Sequence, residues 1–93
     1  MKYMKQKYVL DFEQITDRES LHAYLKETLN LPDYYGMNLD ALYDCLTEMP
    51  ETTIELRHIP SLYCLGEYAN IILEVFEDAS GENPAITLLF TEE

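Results

Sequence analysis

Basic residues are scarce in most of this chain, and their scarcity excludes one class of function. The 93 residues include 18 acidic and 6 basic ones, for a net charge of −12 at pH 7. Residues 27–93 carry a single basic residue, Arg57, against 14 acids, whereas residues 1–26 are close to neutral. A surface that binds DNA or RNA needs clustered lysine and arginine. Direct nucleic-acid binding is therefore excluded, and the acidity either serves solubility alone or steers a basic partner.

Cysteine and long apolar runs are also scarce. Cys45 and Cys64 are too few for the disulfide framework of a small secreted domain, and neither lies in a C-x-x-C pair. No apolar run approaches the ~20 residues of a membrane-spanning helix, and the start of the chain does not have the pattern of a signal peptide. We therefore expect a cytoplasmic protein with free thiols, of which Cys45 is buried.

The common catalytic and ligand-binding motifs are absent. The chain has no glycine-rich phosphate loop, no G-x-S-x-G and no histidine pair at metal-binding spacing. His22 falls on the polar side of a predicted helix and His58 at the end of a predicted strand, where structural or solvated roles are typical. We therefore expect no enzyme activity, no cofactor and no metal site, and a carboxylate-metal hydrolase is the weakest alternative.

What the chain does contain is the pattern of one small α/β domain over residues 7–93, preceded by a flexible tail of residues 1–6. Strands are predicted at 7–12, 52–59 and 85–90, and helices at 17–29, 38–49 and about 65–80. Thr16 and Glu19 are expected to form the capping box of the first helix. The last strand is apolar throughout, so burial on both faces is expected. Helical crossovers favour parallel pairing, which predicts a three-stranded parallel sheet packed with three or four helices.

The second predicted helix has two different faces. Asn38 is a good N-cap, and the apolar stripe after it comprises Leu39, Leu42, Cys45, Leu46 and Met49. The opposite face carries Asp40, Tyr43, Asp44 and Thr47. Carboxylates four residues apart repel each other by roughly a few tenths of a kcal/mol, and solubility does not require an aromatic ring between them. An aromatic patch rimmed by carboxylates is typical of a docking surface for a cationic cleft. Tyr34 and Tyr35 precede this helix and extend the patch, unless Tyr35 packs in the core.

These residues carry a resemblance to a known family. The segment LPDYYGMNLDALYDCLT, residues 31–47, closely resembles the signature of the barstar family, the intracellular inhibitors of barnase-type ribonucleases. The stretches LHAYLKETLNLP and VFEDASGENPAITLLF extend the similarity to about residues 8–91. The resemblance implies a barstar-like fold and a stoichiometric inhibitor, or immunity protein, of a basic extracellular or toxin ribonuclease, monomeric when free. The alternative is an acidic interaction module of the same fold without a nuclease target.

The resemblance also implies roles for individual residues. Asp44 would take the place of a substrate phosphate among the enzyme's arginines, Asp40 would pair with further basic groups, and Tyr34 would pack on the enzyme's active-site histidine. The other implied partner-binding positions are Tyr35, Gly36, Asn38, Leu39, Tyr43, Thr47, Asp78 and Glu82. The chain departs from the family pattern at Tyr43, where the family has tryptophan, and at Met37, where it has an acidic residue.

Overall fold

Three strands form one parallel sheet in the computed structural model, which describes residues 6–91. The strands, in their order across the sheet, are β1 (Gln6–Asp11), β2 (Thr52–Arg57) and β3 (Ile86–Phe90). The helices α1 (Arg18–Thr28) and α2 (Leu39–Thr47) connect β1 to β2, and α3 (Glu67–Glu82) connects β2 to β3. Two further segments, Phe12–Gln14 and Ile59–Leu65, are 3-10 helices. The predicted α/β class with a three-stranded parallel sheet is therefore confirmed.

The α-helices cover one face of the sheet. Both crossovers step across the sheet in the same direction, and right-handed connections of that kind put their helices on the same side. The strand residues buried beneath the helices include Leu10, Ile54, Leu56 and Ile86. The opposite face stays open, and β3 forms one edge, which leaves Leu89 42% and Phe90 52% exposed. The expectation that the last strand is buried on both faces is wrong, because the helices within residues 6–91 form only one layer.

The start of α1 has the expected type of cap at a different pair of residues. The Asp17 carboxylate accepts the N–H of Ser20 at 2.7 Å, and the Ser20 hydroxyl accepts the N–H of Asp17 at 3.2 Å. This capping box lies one residue after the expected pair of Thr16 and Glu19. A charged carboxylate is a stronger acceptor than the threonine hydroxyl, which favours the later start.

The end of α3 also differs from the prediction. The helix was predicted to end at about residue 80, yet Ser80 and Gly81 both lie inside it. The Ser80 hydroxyl donates to the carbonyl three residues earlier, so the serine is accommodated in helical backbone. The helix ends where Asn83 adopts an extended conformation and Pro84 follows.

The core lies between the helices and the covered sheet face. The fully buried residues of the α-helices are Leu21, Leu25, Leu42, Leu46, Ala69, Ile72, Phe76 and Ala79. Cys45 is half-buried rather than buried, and it is a free thiol. Gln6 belongs to β1 rather than to the predicted tail, whose residues 1–5 lie outside the described residues. None of the helices in the described chain combines the length and hydropathy that a membrane span requires.

Candidate functional site

The residues before α2 fix where this helix begins. The Asn38 side chain caps it, because Oδ1 accepts the N–H of Ala41 at 2.8 Å while Nδ2 donates to the carbonyl of Gly36 at 3.2 Å. Between them, Met37 adopts the left-handed conformation, with φ of 58°. A Cβ at Gly36 would lie 2.9 Å from Asn38 Nδ2 and would displace the capping side chain. Gly36 and Asn38 therefore form a closely fitted entrance to α2.

Asp40 and Asp44 are the exposed acids of α2. Within residues 6–91, neither carboxylate has an ion-pair partner. The positive end of the helix dipole offsets part of their mutual repulsion at Asp40, in the first turn, but does little for Asp44. The predicted outward direction of both acids is confirmed, and α2 presents two unpaired carboxylates at a fixed spacing.

Three other predicted site residues on α2 are half-buried. Tyr43 and Leu39 both pack against the core. The hydroxyl of Thr47 donates to the backbone carbonyl of Asp44 at 3.0 Å. Tyr43 is therefore less prominent than its place between two aspartates suggested, and part of its ring holds the helix against the core.

The two adjacent tyrosines of the loop lie in opposite environments. Tyr34 is 83% exposed, whereas Tyr35 is only 5% exposed and belongs to the core. Burial also raises the pKa of the Tyr35 hydroxyl. Core packing is the alternative that the structure shows for Tyr35, so its side chain supports the surface from below instead of forming part of it.

A cavity of about 380 Å³ joins this loop to α2. Its lining comprises Tyr34, Tyr35, Gly36, Ala41, Asp44, Cys45 and Glu48. The structure thus brings Tyr34, Gly36 and Asp44 together. Glu48 follows Asp44 by four residues, so the same helical spacing that linked Asp40 to Asp44 could have found it. Burial first, and then the charges of Glu48 and Asp44, raise the pKa of the Cys45 thiol.

Asp78 and Glu82 occupy exposed positions one turn apart on α3. Asn83 ties the end of this helix to the end of α2, because its Nδ2 donates to the carbonyls of Leu46 at 3.1 Å and Met49 at 3.0 Å. Among the described residues, neither acid has an ion-pair partner. Glu82 is therefore fixed near the C-terminal end of α2, and Asp78 lies one turn further back along α3.

His22 is buried, and its predicted place on the polar side of α1 is wrong. Its side chain is 3% exposed, with Nδ1 2.6 Å from the Tyr35 hydroxyl and Nε2 2.6 Å from the Tyr68 hydroxyl. Burial lowers the pKa of the imidazole. The helical pattern of α1 could not show this, because both partners come from other elements of the fold.

Three potential metal ligands converge at the carboxyl ends of β1 and β2, where the sequence predicted none. Ligand atoms of Asp11, Glu13 and His58 all lie within 4.8 Å of one another. Oδ1 of Asp11 already accepts the N–H of Glu13 at 3.0 Å and is 2.7 Å from Nδ1 of His58. The Glu13 N–H, and after it His58, lower the pKa of Asp11. These bonds explain why the three residues lie together: Asp11 pairs with His58 and accepts the N–H of Glu13.

Two similarities to known proteins cover most of the chain. The model of the family described as Barstar (barnase inhibitor) matches residues 5–91, which include the loop, α2 and α3. A protein of Bacillus subtilis (strain 168) named "Putative ribonuclease inhibitor YrdF" is 43% identical over 79 residues, which are 82% of this chain and 87% of that protein. The resemblance first seen in residues 31–47 is thus confirmed along the sequence, and the chain belongs to the Barstar (barnase inhibitor) family.

Proposed function

We propose that this protein is a stoichiometric inhibitor, or immunity protein, of a basic microbial ribonuclease of the barnase type. The exposed face of α2 enters the active site of the enzyme and blocks it. One observation carries the proposal: Asp40 and Asp44 stand exposed on a capped helix without a cation within the described chain. The names of the family and of the Bacillus subtilis relative, which both refer to inhibition of a ribonuclease, support the class of target.

The chemistry of the carboxylate suits this role. A ribonuclease must bind the phosphate of RNA through arginine, lysine and histidine side chains. A carboxylate accepts paired hydrogen bonds from a guanidinium much as a phosphate does. Asp44 would therefore occupy the phosphate position, while Asp40 would pair with neighbouring basic groups. Because no phosphodiester bond is present, the enzyme has nothing to cleave.

The packing of α2 makes this mimicry efficient. The helix is capped by Asn38 and is held to the core by fully buried Leu42 and Leu46. At its far end, Asn83 bonds to two carbonyls. A rigid element loses little conformational entropy on docking, so more of the interaction energy appears as affinity.

Aromatic and peripheral residues would complete the contact. Tyr34 exposes most of its ring beside the cavity that Asp44 also lines, so it could pack on the catalytic histidine of the enzyme. Gly36, Asn38, Tyr43 and Thr47 would border the same contact, and Asp78 and Glu82 would add peripheral ion pairs from α3. Leu39 and Tyr35 would act by supporting these residues from the core.

The charge of the whole chain fits a basic partner. A net charge of −12 would speed the encounter with a cationic enzyme, and added salt would slow it. The proposed inhibitor is a monomer when free, acts in the cytoplasm of the producing cell, and performs its task without catalysis, cofactor or bound metal.

The direct test is titration of the protein into a barnase-type ribonuclease assay. We expect activity to fall linearly to a plateau near one equivalent for the natural sequence. Asp44→Ala should weaken inhibition by at least about 30-fold, the loss typical of a residue that dominates an interface.

Glu13→Ala is the matched control, since it removes the same charge from an exposed position after β1. It should leave inhibition nearly unchanged. Equal effects of the two substitutions would mean that overall charge, and not the α2 face, carries the inhibition. Failure of the natural protein to inhibit would favour the interaction module without a nuclease target.

A further inference from the structure

The buried histidine of α1 connects three elements of the fold. Nδ1 of His22 lies 2.6 Å from the hydroxyl of Tyr35, in the loop before α2, and Nε2 lies 2.6 Å from the hydroxyl of Tyr68, in α3. Tyr35 stands between Tyr34 and Gly36, which line the cavity beside Asp44. The imidazole is therefore one hydrogen bond away from the loop that adjoins the α2 face.

The different exposure of the two tyrosines selects the tautomer of His22. A neutral imidazole has one N–H donor and one bare nitrogen acceptor. Tyr35 is 5% exposed and must donate its hydroxyl hydrogen inside the protein, whereas Tyr68 is half-buried and can donate to water. Tyr35 therefore donates to a bare Nδ1, and Nε2–H donates to Tyr68. This arrangement leaves no hydrogen of the three side chains without an acceptor.

Protonation of the imidazole would break this arrangement. Nδ1 would become a donor, so the Tyr35 hydroxyl would have to accept and its own hydrogen would lose its acceptor in the core. The loop could restore that bond only by moving Tyr35, and with it the adjoining Tyr34 and Gly36.

Charged and titratable groups around the ring do not reverse this effect. Arg18 and Glu19 of α1 line a cavity with His22, and the Arg18 guanidinium also lies 4.2 Å from the centre of the Tyr68 ring. Burial is the cause that lowers the pKa of the imidazole. The other titratable groups on this side are Tyr35, Tyr68 and, beyond Tyr35, the Cys45 thiol of α2.

We propose that neutral His22 is a positioning residue that holds Tyr35, and through it the Tyr34–Gly36 segment, in the shape that docks. Protonation of His22 in acid then shifts this segment out of that shape and lowers the affinity of the protein for its partner. The first half of this proposal, the positioning of Tyr35 by His22, concerns the free protein alone. The second half, weaker binding in acid, rests on the proposed inhibition of a ribonuclease.

The free protein tests the first half by NMR. The ring nitrogens of His22 should report the Nε2–H tautomer, with a protonation midpoint below the ordinary value of 6.5. The backbone amides of Tyr34, Tyr35 and Gly36 should shift with the same midpoint. His58, which is partly exposed and pairs with Asp11, provides an internal comparison. A loop that ignores the His22 titration, or follows His58 instead, would overturn the positioning role.

Two variants separate positioning from general support of the fold. His22→Asn places a neutral amide near the Nδ1 position, so it can accept from Tyr35 but cannot titrate. Tyr35→Phe keeps the buried ring and removes the hydroxyl link. Both variants should abolish the acid response of the Tyr34 and Gly36 amides, and a response that persists in either one would contradict the proposal. Tyr35→Phe serves alone if His22→Asn does not fold.

Inhibition of a barnase-type ribonuclease between about pH 7.5 and about pH 5 tests the second half. The inhibition constant of the natural protein should rise at least about threefold more than that of His22→Asn, and dividing the two cancels the pH dependence of the enzyme. If the inhibition constants of the two proteins changed in parallel with pH, the proposed weakening of binding in acid would be overturned. Absence of inhibition at every pH would instead defeat the proposed function, while the NMR result still decides the positioning role.

Discussion

Two groups of acidic residues in this protein have opposite surroundings. On the strands, Asp11 lies 2.7 Å from His58, and Glu55 lies 3.7 Å from Lys7 and 3.8 Å from Arg57. On α2, Asp40 and Asp44 have no cation within residues 6–91. The strand carboxylates have partners inside the chain, whereas the helix carboxylates remain available to another molecule.

The comparison shows that the chain tolerates a small loss of stability on α2. Carboxylates at i and i+4 destabilise a helix slightly, and nothing within the described residues offsets the repulsion at Asp44. Sites that serve binding are commonly less stable than they could be. We therefore propose that the unpaired acids on α2 serve binding and that the paired acids on the strands serve the fold.

The largest expected effect comes from neutralising the helix group. The double substitution Asp40→Asn and Asp44→Asn should weaken ribonuclease inhibition by at least about 100-fold. It should leave the free energy of unfolding within about 0.5 kcal/mol of the natural value, because the repulsion along α2 and the favourable interaction of Asp40 with the helix dipole are removed together. Inhibition assays and urea denaturation measure the two quantities. A clear loss of stability would show that these acids do support the fold, and would erase the contrast with the strands.

Added salt should reveal the contribution of the unpaired acids to the rate of association. Added salt screens the field of the unpaired acids, so the association rate constant with a basic ribonuclease should fall by about tenfold between low and high ionic strength. The dissociation rate constant should change much less. Stopped-flow mixing measures both, and an association rate indifferent to salt would argue against electrostatic steering.

The cap of α2 should have a smaller effect on the fold. Asn38→Ala removes the side-chain acceptor of the Ala41 N–H and should lower the free energy of unfolding by about 1 kcal/mol. Asn38→Asp keeps the capping oxygen but loses the donation to the Gly36 carbonyl, so its loss of stability should be smaller than that of Asn38→Ala. Urea denaturation of the three proteins checks this, and equal losses for alanine and aspartate would show that the cap is not what holds the start of α2.

The smallest effect concerns the strand group. Because the pKa of Asp11 is lowered from 3.8, its ionised form stabilises the folded state above that pH, and this contribution is lost as pH falls through the folded value. Asp11→Asn should therefore destabilise the protein at pH 7 by less than about 1 kcal/mol and converge with the natural protein in acid. Thermal denaturation along a pH series provides the measurement.

His58→Gln refines this last prediction. It should reduce the difference made by Asp11→Asn without removing it, since the Glu13 N–H is the larger cause of the lowered pKa. Complete loss of the difference would assign the effect to His58 alone.

Sequence periodicity was sufficient for the fold and for the outward face of α2. The spacing of Leu42 and Leu46 predicted the buried side of this helix, and therefore the exposure of Asp40 and Asp44 on the other. The exposure of the adjacent residues Tyr34 and Tyr35 was harder to predict. Both were plausible surface residues, and only the path of the loop decides that one is exposed and the other buried.

What the sequence could not show depends on contacts between distant residues. His22 was predicted to lie on the polar side of α1, but Tyr68, 46 residues later, completes its hydrogen bonding and allows burial. The bonds of Asn83 to the end of α2 could not be predicted, because they join residues 37 and 34 positions apart in the sequence. Leu89 was expected to be buried because the strand is apolar, and the single helical layer leaves it exposed.

Competition with a nucleotide tests the phosphate mimicry most directly. Binding of the protein to a catalytically inactive barnase-type ribonuclease can be measured at increasing concentrations of a mononucleotide that fills the phosphate site. We predict that the apparent dissociation constant rises linearly with nucleotide concentration, because Asp44 and the nucleotide phosphate need the same basic groups. An apparent dissociation constant that stays unchanged while the nucleotide saturates the enzyme would contradict the account.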